Sequence, residues 1–243
     1  MIDKNLVINW IRSYFEENGN KNTKAIIGIS GGKDSTIAAA LCVEALGKDR
    51  VVGVLMPQGK QDDIADAYRV IRHLGIEYHE INIDTACFNI YKNMINSGID
   101  IHFVNTPVVQ TNLPARIRMT TLYGVAAALG GRVCNTSNYS EVYVGYSTKW
   151  GDGVGDFAPL RNFFVSEVID LGRQLNLPED LIIKTPSDGM SGKTDEENMG
   201  ITYEEIEVFV KGGTVAPEQV AKITDRHKAA AHKTINIPSC PRN

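Results

Sequence analysis

The chain has 243 residues, of which 43% are hydrophobic and 22% charged, and its formal net charge is −4 at pH 7. That length allows one large domain or two small ones and is enough to bury a substantial core, and the balance is that of a soluble globular protein. The slight acidity argues against a bulk nucleic-acid surface, no apolar run reaches the ~20 residues of a membrane span, and the N-terminus lacks a signal peptide's basic head and apolar core. Cys42, Cys87, Cys134 and Cys240 are widely spaced and form no C-x-x-C. They give neither a zinc pattern nor a disulfide framework, so a reducing cytoplasm is expected.

Residues 3–18 carry Leu6, Ile8, Ile11 and Phe15 near helical spacing and are expected to form an amphipathic helix. After a turn at 19–24, Ala25, Ile26 and Ile27 read as a buried strand reaching Ile29. A helix follows from about Ser35 to Leu46, stopped by Gly47. Residues 51–56 are apolar on both faces, as a parallel strand covered by helices is, and Pro57 ends them. Asp62 and Asp63 open a helix that carries Ala65, Val70, Ile71 and Leu74 and stops at Gly75. Residues 78–83 alternate as a strand, and Asp84 suits the cap of a helix to about Ile95. Residues 106–111 read as a loop, Pro114 as the first turn of a helix through Leu129, and 132–136 as a short strand.

This alternation predicts an α/β fold: a doubly wound, mostly parallel sheet with helices on both faces. Ligands in such sheets bind beyond the strands' C-terminal ends, where Ser30 and Thr136 fall. From Gly145 the texture changes. Residues 150–156 form an acidic, glycine-dense stretch that reads as flexible, 165–175 a helix, and 178–184 a short segment beginning at Pro178. Residues 185–198 are polar and read as a mobile loop, whereas 203–210 and 217–233 read as helices. No repeat or domain linker interrupts the chain, so one domain over 1–243 is expected.

Between the first strand and its helix stand Gly28, Ile29, Ser30, Gly31, Gly32, Lys33, Asp34 and Ser35. A glycine-rich turn leaves backbone N–H groups free at the helix start, where the dipole also favours an anion such as phosphate. Gly31 and Gly32 admit the anion close to the backbone, Lys33 adds a positive charge, and Asp34 offers a hard oxygen to Mg²⁺. The stretch is neither a common P-loop nor a dinucleotide fingerprint: Ile27 stands where a P-loop needs Gly, Asp34 follows Lys33, and no G-x-G-x-x-G occurs.

Other groups are weaker alone. Arg116 and Arg118 diverge by about 200° around their helix, so at most one points into a shared pocket, and a solvated helix face explains them equally. Thr136 with Glu141 fits either a nucleotide and Mg²⁺ site or an N-cap with an acidic first turn. Lys149 and Asp156 bracket the glycine-dense stretch, and His232-Lys233 ends the last helix, where basic residues also face the dipole.

Ser-Gly-Gly-x-Asp-Ser resembles the loop of the ATP pyrophosphatases, which hold the pyrophosphate of ATP while a substrate oxygen attacks the α-phosphorus. The resemblance extends in order through Ala-Arg-Ile-Arg-Met at 115–119, Asn-Thr-Ser-Asn with Glu141, Thr-Lys-Trp-Gly-Asp-Gly-Val-Gly-Asp at 148–156 with Pro159-Leu160 after it, Thr-Asp-Glu-Glu-Asn-Met-Gly-Ile-Thr-Tyr at 194–203, and His232-Lys233. Taken together the chain resembles the ammonia-dependent NAD synthetases, whose fold is of the adenine nucleotide alpha hydrolase type.

The resemblance implies that residues 28–35, Thr136 and Ser187 bind ATP and that Asp34 and Glu141 ligate Mg²⁺. Arg116, Lys149, Asp156, His232 and Lys233 then contact deamido-NAD, in a homodimer whose substrate lies near the interface. It further implies attack of the nicotinate carboxylate on ATP, displacement of AMP by ammonia, no covalent protein nucleophile and no glutaminase domain. The chain departs from the family at Val165, where many members carry Lys near the ATP phosphates, leaving Arg161 or Lys193 to compensate. Arg226-His227-Lys228 competes with His232-Lys233 as the C-terminal contact. A tRNA-thiolating enzyme would call for paired cysteines and an RNA-binding appendage. A non-catalytic nucleotide module would have little use for a metal pair.

Overall fold

The computed structural model describes residues 2–61, 64–184 and 194–234. At its centre is a wholly parallel sheet of β1 (Lys24–Gly28), β2 (Val51–Leu55), β3 (Glu77–Glu80) and β4 (Gly131–Val133), in the order β3-β2-β1-β4. The winding proceeds from β1 to β2 and β3 on one side, then crosses back to β4 on the other. The strand order therefore reverses at β1, and a crevice opens there beyond the strand ends.

Successive side chains of β1 point to opposite faces. Ala25 and Ile27 join the core under α1 (Lys4–Asn18), α2 (Lys33–Leu46), α3 (Ile64–Leu74), α8 (Val165–Gln174) and α9 (Glu179–Ile182). Ile26, with Val52, Val54 and Val133, faces the long α6 (Pro107–Leu129). Beside α6 lie α4 (Asp84–Asn96) and α5 (Ile101–Val104). A separate small core of Val144, Met199, Ile201, Tyr203, Ile206 and Ile223 joins α7 (Tyr139–Val144), α10 (Asp195–Met199), α11 (Tyr203–Val210) and α12 (Pro217–Thr234). Both faces of the sheet are thus covered, as the apolar pattern of 51–56 requires. Among the described residues no helix is long and apolar enough to cross a membrane.

Three local expectations change. Residues 107–111 are helical, because Pro107 takes the first position of α6 and Pro114 lies inside it. Of two prolines seven apart, the first fills N1, where a missing N–H costs nothing. The last part of the expected mobile loop is α10, whose cap Thr194 accepts from Glu197 N at 3.1 Å while Glu197 accepts from Thr194 N at 2.7 Å. Residues 185–193, with Ser187 and Lys193, lie outside the described residues.

The glycine-dense stretch is also tied down. Asn135 N donates to Phe157 O at 2.8 Å and Asp156 N to Val133 O at 2.8 Å, so it runs along the continuation of β4. Gly155 permits this approach: a Cβ there would lie 2.7 Å from Asn135 N. The glycines that read as flexibility serve close packing instead.

Candidate active site

The phosphate-type loop sits where β1 hands over to α2. Gly31, at φ 80°, turns the chain, and a Cβ on it would lie 2.7 Å from Ala67 N at the start of α3. Ser30 Oγ accepts from Gly32 N at 3.2 Å and lies 3.2 Å from Ser35 Oγ, which donates to Gly32 O at 3.1 Å. Gly32 is the N-cap of α2 and no side chain caps that helix. Its first-turn N–H groups are therefore available to an anion. A cavity of about 630 Å³ opens over them, walled by the loop, α6, the end of β4 and residues 145–154.

On the loop's inner side is a cluster of opposite charges. The buried Lys33 ammonium donates to Asp34 Oδ2 at 2.8 Å and lies 5.5 Å from the centre of the Tyr203 ring. Burial works against its charge, but Asp34, Glu141 and Asp195 outweigh burial and leave it above the ordinary lysine value. Glu141 belongs to a capping box on α7: Asn138 N donates to Glu141 Oε2 and Glu141 N to Asn138 Oδ1, each at 3.1 Å. The same Asn138 reaches Asp34 Oδ1 through Nδ2 at 3.3 Å, which joins α7 to α2. Burial, then repulsion from Asp34, pushes the Glu141 carboxyl up to about 8, with Lys33 offsetting part. Buried Asp195 accepts from Tyr146 Oη at 3.3 Å and Tyr203 Oη at 3.2 Å. Three carboxylates thus act on one ammonium, an excess of negative charge that a divalent cation would balance.

The remaining candidates divide. Thr136 lines the cavity. Of the arginine pair it is Arg118 that lines it, donating from Nε to Met56 O at 3.2 Å. Arg116 lines neither this cavity nor a smaller side pocket among the described residues, and donates from Nε to Lys149 O at 3.3 Å. Lys149 borders that side pocket. Asp156 is exposed and lines neither space: its Oδ2 accepts from Val133 N at 2.7 Å and Oδ1 from Tyr123 Oη at 3.3 Å. Asp156→Ala should accordingly cost about 1 kcal/mol of stability, the worth of an ordinary hydrogen bond. A melting temperature equal to that of the unaltered chain would show that the carboxylate does not hold β4.

At the C-terminus, Lys233 lines both spaces and donates to Gly145 O and Ser147 O, each at 2.7 Å. His232 is exposed and lines neither; its Nδ1 lies 2.8 Å from Ala229 O. Of the competing trio, Arg226 lines the main cavity, whereas His227 stacks on Tyr143 at 4.2 Å. Each basic pair or trio therefore contributes one cation. Val165 packs against the small core and supplies no charge.

Sequence reasoning passed over Asp195 and Asp152. Asp152 accepts from Thr148 N at 2.7 Å; much of its surface stays open to the cavity, yet the protein around its carboxyl raises it above the ordinary value, backbone hydrogen bonds opposing. Asp195 had a signal, since Thr194 and Glu197 form the Ser/Thr-x-x-Glu pattern of a helix start and place Asp195 in its first turn.

Comparison with known proteins gives a consistent result. Residues 4–238 match the NAD synthase family. The NH(3)-dependent NAD(+) synthetase of Pyrococcus furiosus is 40% identical over 198 residues, 81% of this chain and 74% of that protein. Among solved structures, NMN synthetase from Francisella tularensis superposes with a TM-score of 0.87 at 33% identity, covering 99% of this chain and 97% of that one. The NH3-dependent NAD synthetase from Campylobacter jejuni superposes with a TM-score of 0.79 at 28% identity, covering all of both chains.

Proposed function

The chain belongs to the NAD synthase family, and from that premise we infer that it is an ammonia-dependent NAD synthetase. The reaction is ATP-dependent amidation of deamido-NAD to NAD, with release of AMP and pyrophosphate. One observation carries this reading: the phosphate loop, the Asp34–Glu141 pair and the buried Lys33 meet in a single strand-end cavity of a chain that matches the family almost end to end.

A carboxylate is a poor electrophile with a poor leaving group. In the proposed first step a nicotinate carboxylate oxygen bonds to the α-phosphorus of ATP, and the bond from that phosphorus to the β-phosphate bridge breaks. Pyrophosphate leaves, held by the α2 N–H groups and the Lys33 charge. In the second step ammonia's lone pair attacks the acyl carbon, AMP departs with the carboxylate oxygen, and the surplus proton is lost from nitrogen. No covalent protein nucleophile is involved; in keeping with this, Cys42, Cys87 and Cys134 are buried, and burial pushes the thiols of Cys87 and Cys134 upward.

Asp34 and Glu141 suit Mg²⁺. Their oxygens are hard donors, and the repulsion from Asp34, which after burial lifts Glu141, is what a cation relieves. Among the described residues no three His, Cys, Asp or Glu converge to hold a metal on protein atoms alone. That also fits, because Mg²⁺ usually takes one or two carboxylates and completes its shell with substrate phosphates and water. When bound, the ion neutralises charge on the leaving pyrophosphate.

The chain is assigned to the cytoplasm, where its cysteines stay reduced, and the chemistry calls for neither nucleic acid nor membrane. It is also assigned as a homodimer. Phe88, Ile95, Ile101, Phe103 and Val108 stand exposed on the adjoining α4, α5 and α6, and Ile99 between α4 and α5, with Phe103 and Val108 at 69% and 68%. An apolar face of this kind marks an interface, and α6 also carries Arg118 to the main cavity. Replacing Phe103 and Val108 together by Asp should give monomers at micromolar concentration in sedimentation velocity. Dimers that persisted would assign the interface elsewhere.

The test of function is an assay of the chain alone with deamido-NAD, ATP, Mg²⁺ and ammonium. NAD, AMP and pyrophosphate should appear in equal amounts. Glutamine in ammonia-free buffer should give no NAD. ADP in place of AMP would overturn the reading.

A second substrate is favoured by one observation: the Francisella tularensis NMN synthetase superposes on this chain more closely than the Campylobacter jejuni enzyme does. Under that reading the amide acceptor is nicotinate mononucleotide. A higher kcat/KM for the mononucleotide than for the dinucleotide in the same assay would decide for it.

A further inference from the structure

A side pocket of about 70 Å³ shares the walls Gly145, Ser147 and Lys233 with the main cavity. Three cations line it, Lys149, Arg161 and Lys233, and among the described residues no carboxylate does. Asp152 faces Lys233 from the main cavity. All three positions are held by the fold. Lys233 is fixed by its two backbone carbonyls. The Lys149 ammonium lies 5.4 Å from the centre of the Trp150 ring, and Trp150 keeps a left-handed φ of 61°, a conformation costly for a bulky residue. Arg161 follows Leu160, which is fully buried in the main core. Hydroxyl groups are at hand, since Ser137 and Ser147 line the pocket too.

The size selects the ligand. A water needs roughly 10–15 Å³ of such volume, so the pocket has room for about five waters, or for one tetrahedral oxyanion, and not for a base or a ribose. Three cations with hydroxyl donors and no lining acid suit a phosphate group, and Arg adds a planar fork of donors matched to its oxygens. None of residues 28–35 lines the pocket, so it is separate from the loop where the ATP phosphates sit.

We propose that this pocket receives the phosphate on the nicotinate ribose, which mononucleotide and dinucleotide substrates share, and that Arg161 is a substrate-binding residue. The proposal rests on the amidating function inferred above, but its test reads binding and not turnover. Calorimetric titration of nicotinate mononucleotide, nicotinate riboside and ATP into the unaltered chain, Arg161→Met and Arg161→Lys separates the possibilities. Arg161→Met should weaken mononucleotide binding about 10- to 100-fold, the range for a lost charge-assisted hydrogen bond, while leaving riboside and ATP affinities within about twofold. Arg161→Lys should recover part of the loss. Equal weakening of riboside and mononucleotide would reduce Arg161 to a structural role. Weakening of ATP alone would make this an ATP phosphate site, and unchanged affinity throughout would remove Arg161 from binding; each overturns the proposal. Failure of the amidation assay with these affinities as expected would refute the function and leave the phosphate pocket standing.

Discussion

Asp34→Asn should lower kcat by about 10²- to 10³-fold, the usual loss when one group that stabilises transition-state charge is removed. Asp34 stands in the first turn of α2, beside the N–H groups that face the cavity. It is the residue that links the phosphate loop to the buried charge cluster: one oxygen takes Lys33, the other Asn138 Nδ2. Asparagine keeps the shape and loses the charge that would hold a metal beside the pyrophosphate. The fold should survive, because Lys33 still faces Glu141 and Asp195. The melting temperature is therefore expected to stay within a few degrees of the unaltered chain. Activity within about threefold at ordinary Mg²⁺ would show that Asp34 is not a metal ligand.

Glu141→Gln should be nearly as damaging to turnover, about 10²-fold, and should change the ligand-free protein in the opposite sense. In the folded chain the carboxyl titrates at about 8 against an ordinary 4.5, burial being the larger cause and Asp34 the next. Between those two values the native state holds a proton that the unfolded chain releases. Stability of the ligand-free protein therefore falls as pH rises through that window, by at most about 1.4 kcal/mol per pH unit, the limit for one proton. Below the ordinary value the group has no such effect. Glutamine cannot ionise, so the variant should lose this part of the slope and melt higher than the unaltered chain at pH 8 without Mg²⁺. Thermal melts from pH 5 to 9 check it; identical slopes would mean that Glu141 is already ionised in the free protein.

What could be read from the residues depended on how far apart the cooperating groups lie in the chain. The form of the loop was legible because its parts are local, with strand, glycines, lysine, acid and helix start all within residues 25–41. The sheet was legible from runs such as 51–56, whose apolar character on both faces admits few other placements. Asp195 was not, since its role comes from Tyr146 and Tyr203 and from its field on Lys33, all brought together only by the small core around Ile206. Arg118 and Arg116 could not be separated by spacing alone; the close approach of α6 to Met56 at the end of β2 decides which one meets the cavity. The stretch 150–156 misled for a different reason. Glycine signals freedom of the backbone in isolation, but Gly155 is there for contact with Asn135. Asp156 was assigned to the substrate through the resemblance, and the structure adds that its carboxylate is bonded to β4 and Tyr123.

The central claim is that a nicotinate carboxylate is activated by adenylation in the cavity above α2 and then amidated. Deamido-NAD labelled with oxygen-18 in that carboxylate tests it most directly, with ATP, Mg²⁺ and ammonium and the chain as the only enzyme. The mechanism predicts unlabelled pyrophosphate, NAD that keeps one labelled oxygen in its carboxamide, and AMP that carries the other. Label in pyrophosphate or inorganic phosphate, or NAD formed beside unlabelled AMP, would contradict it.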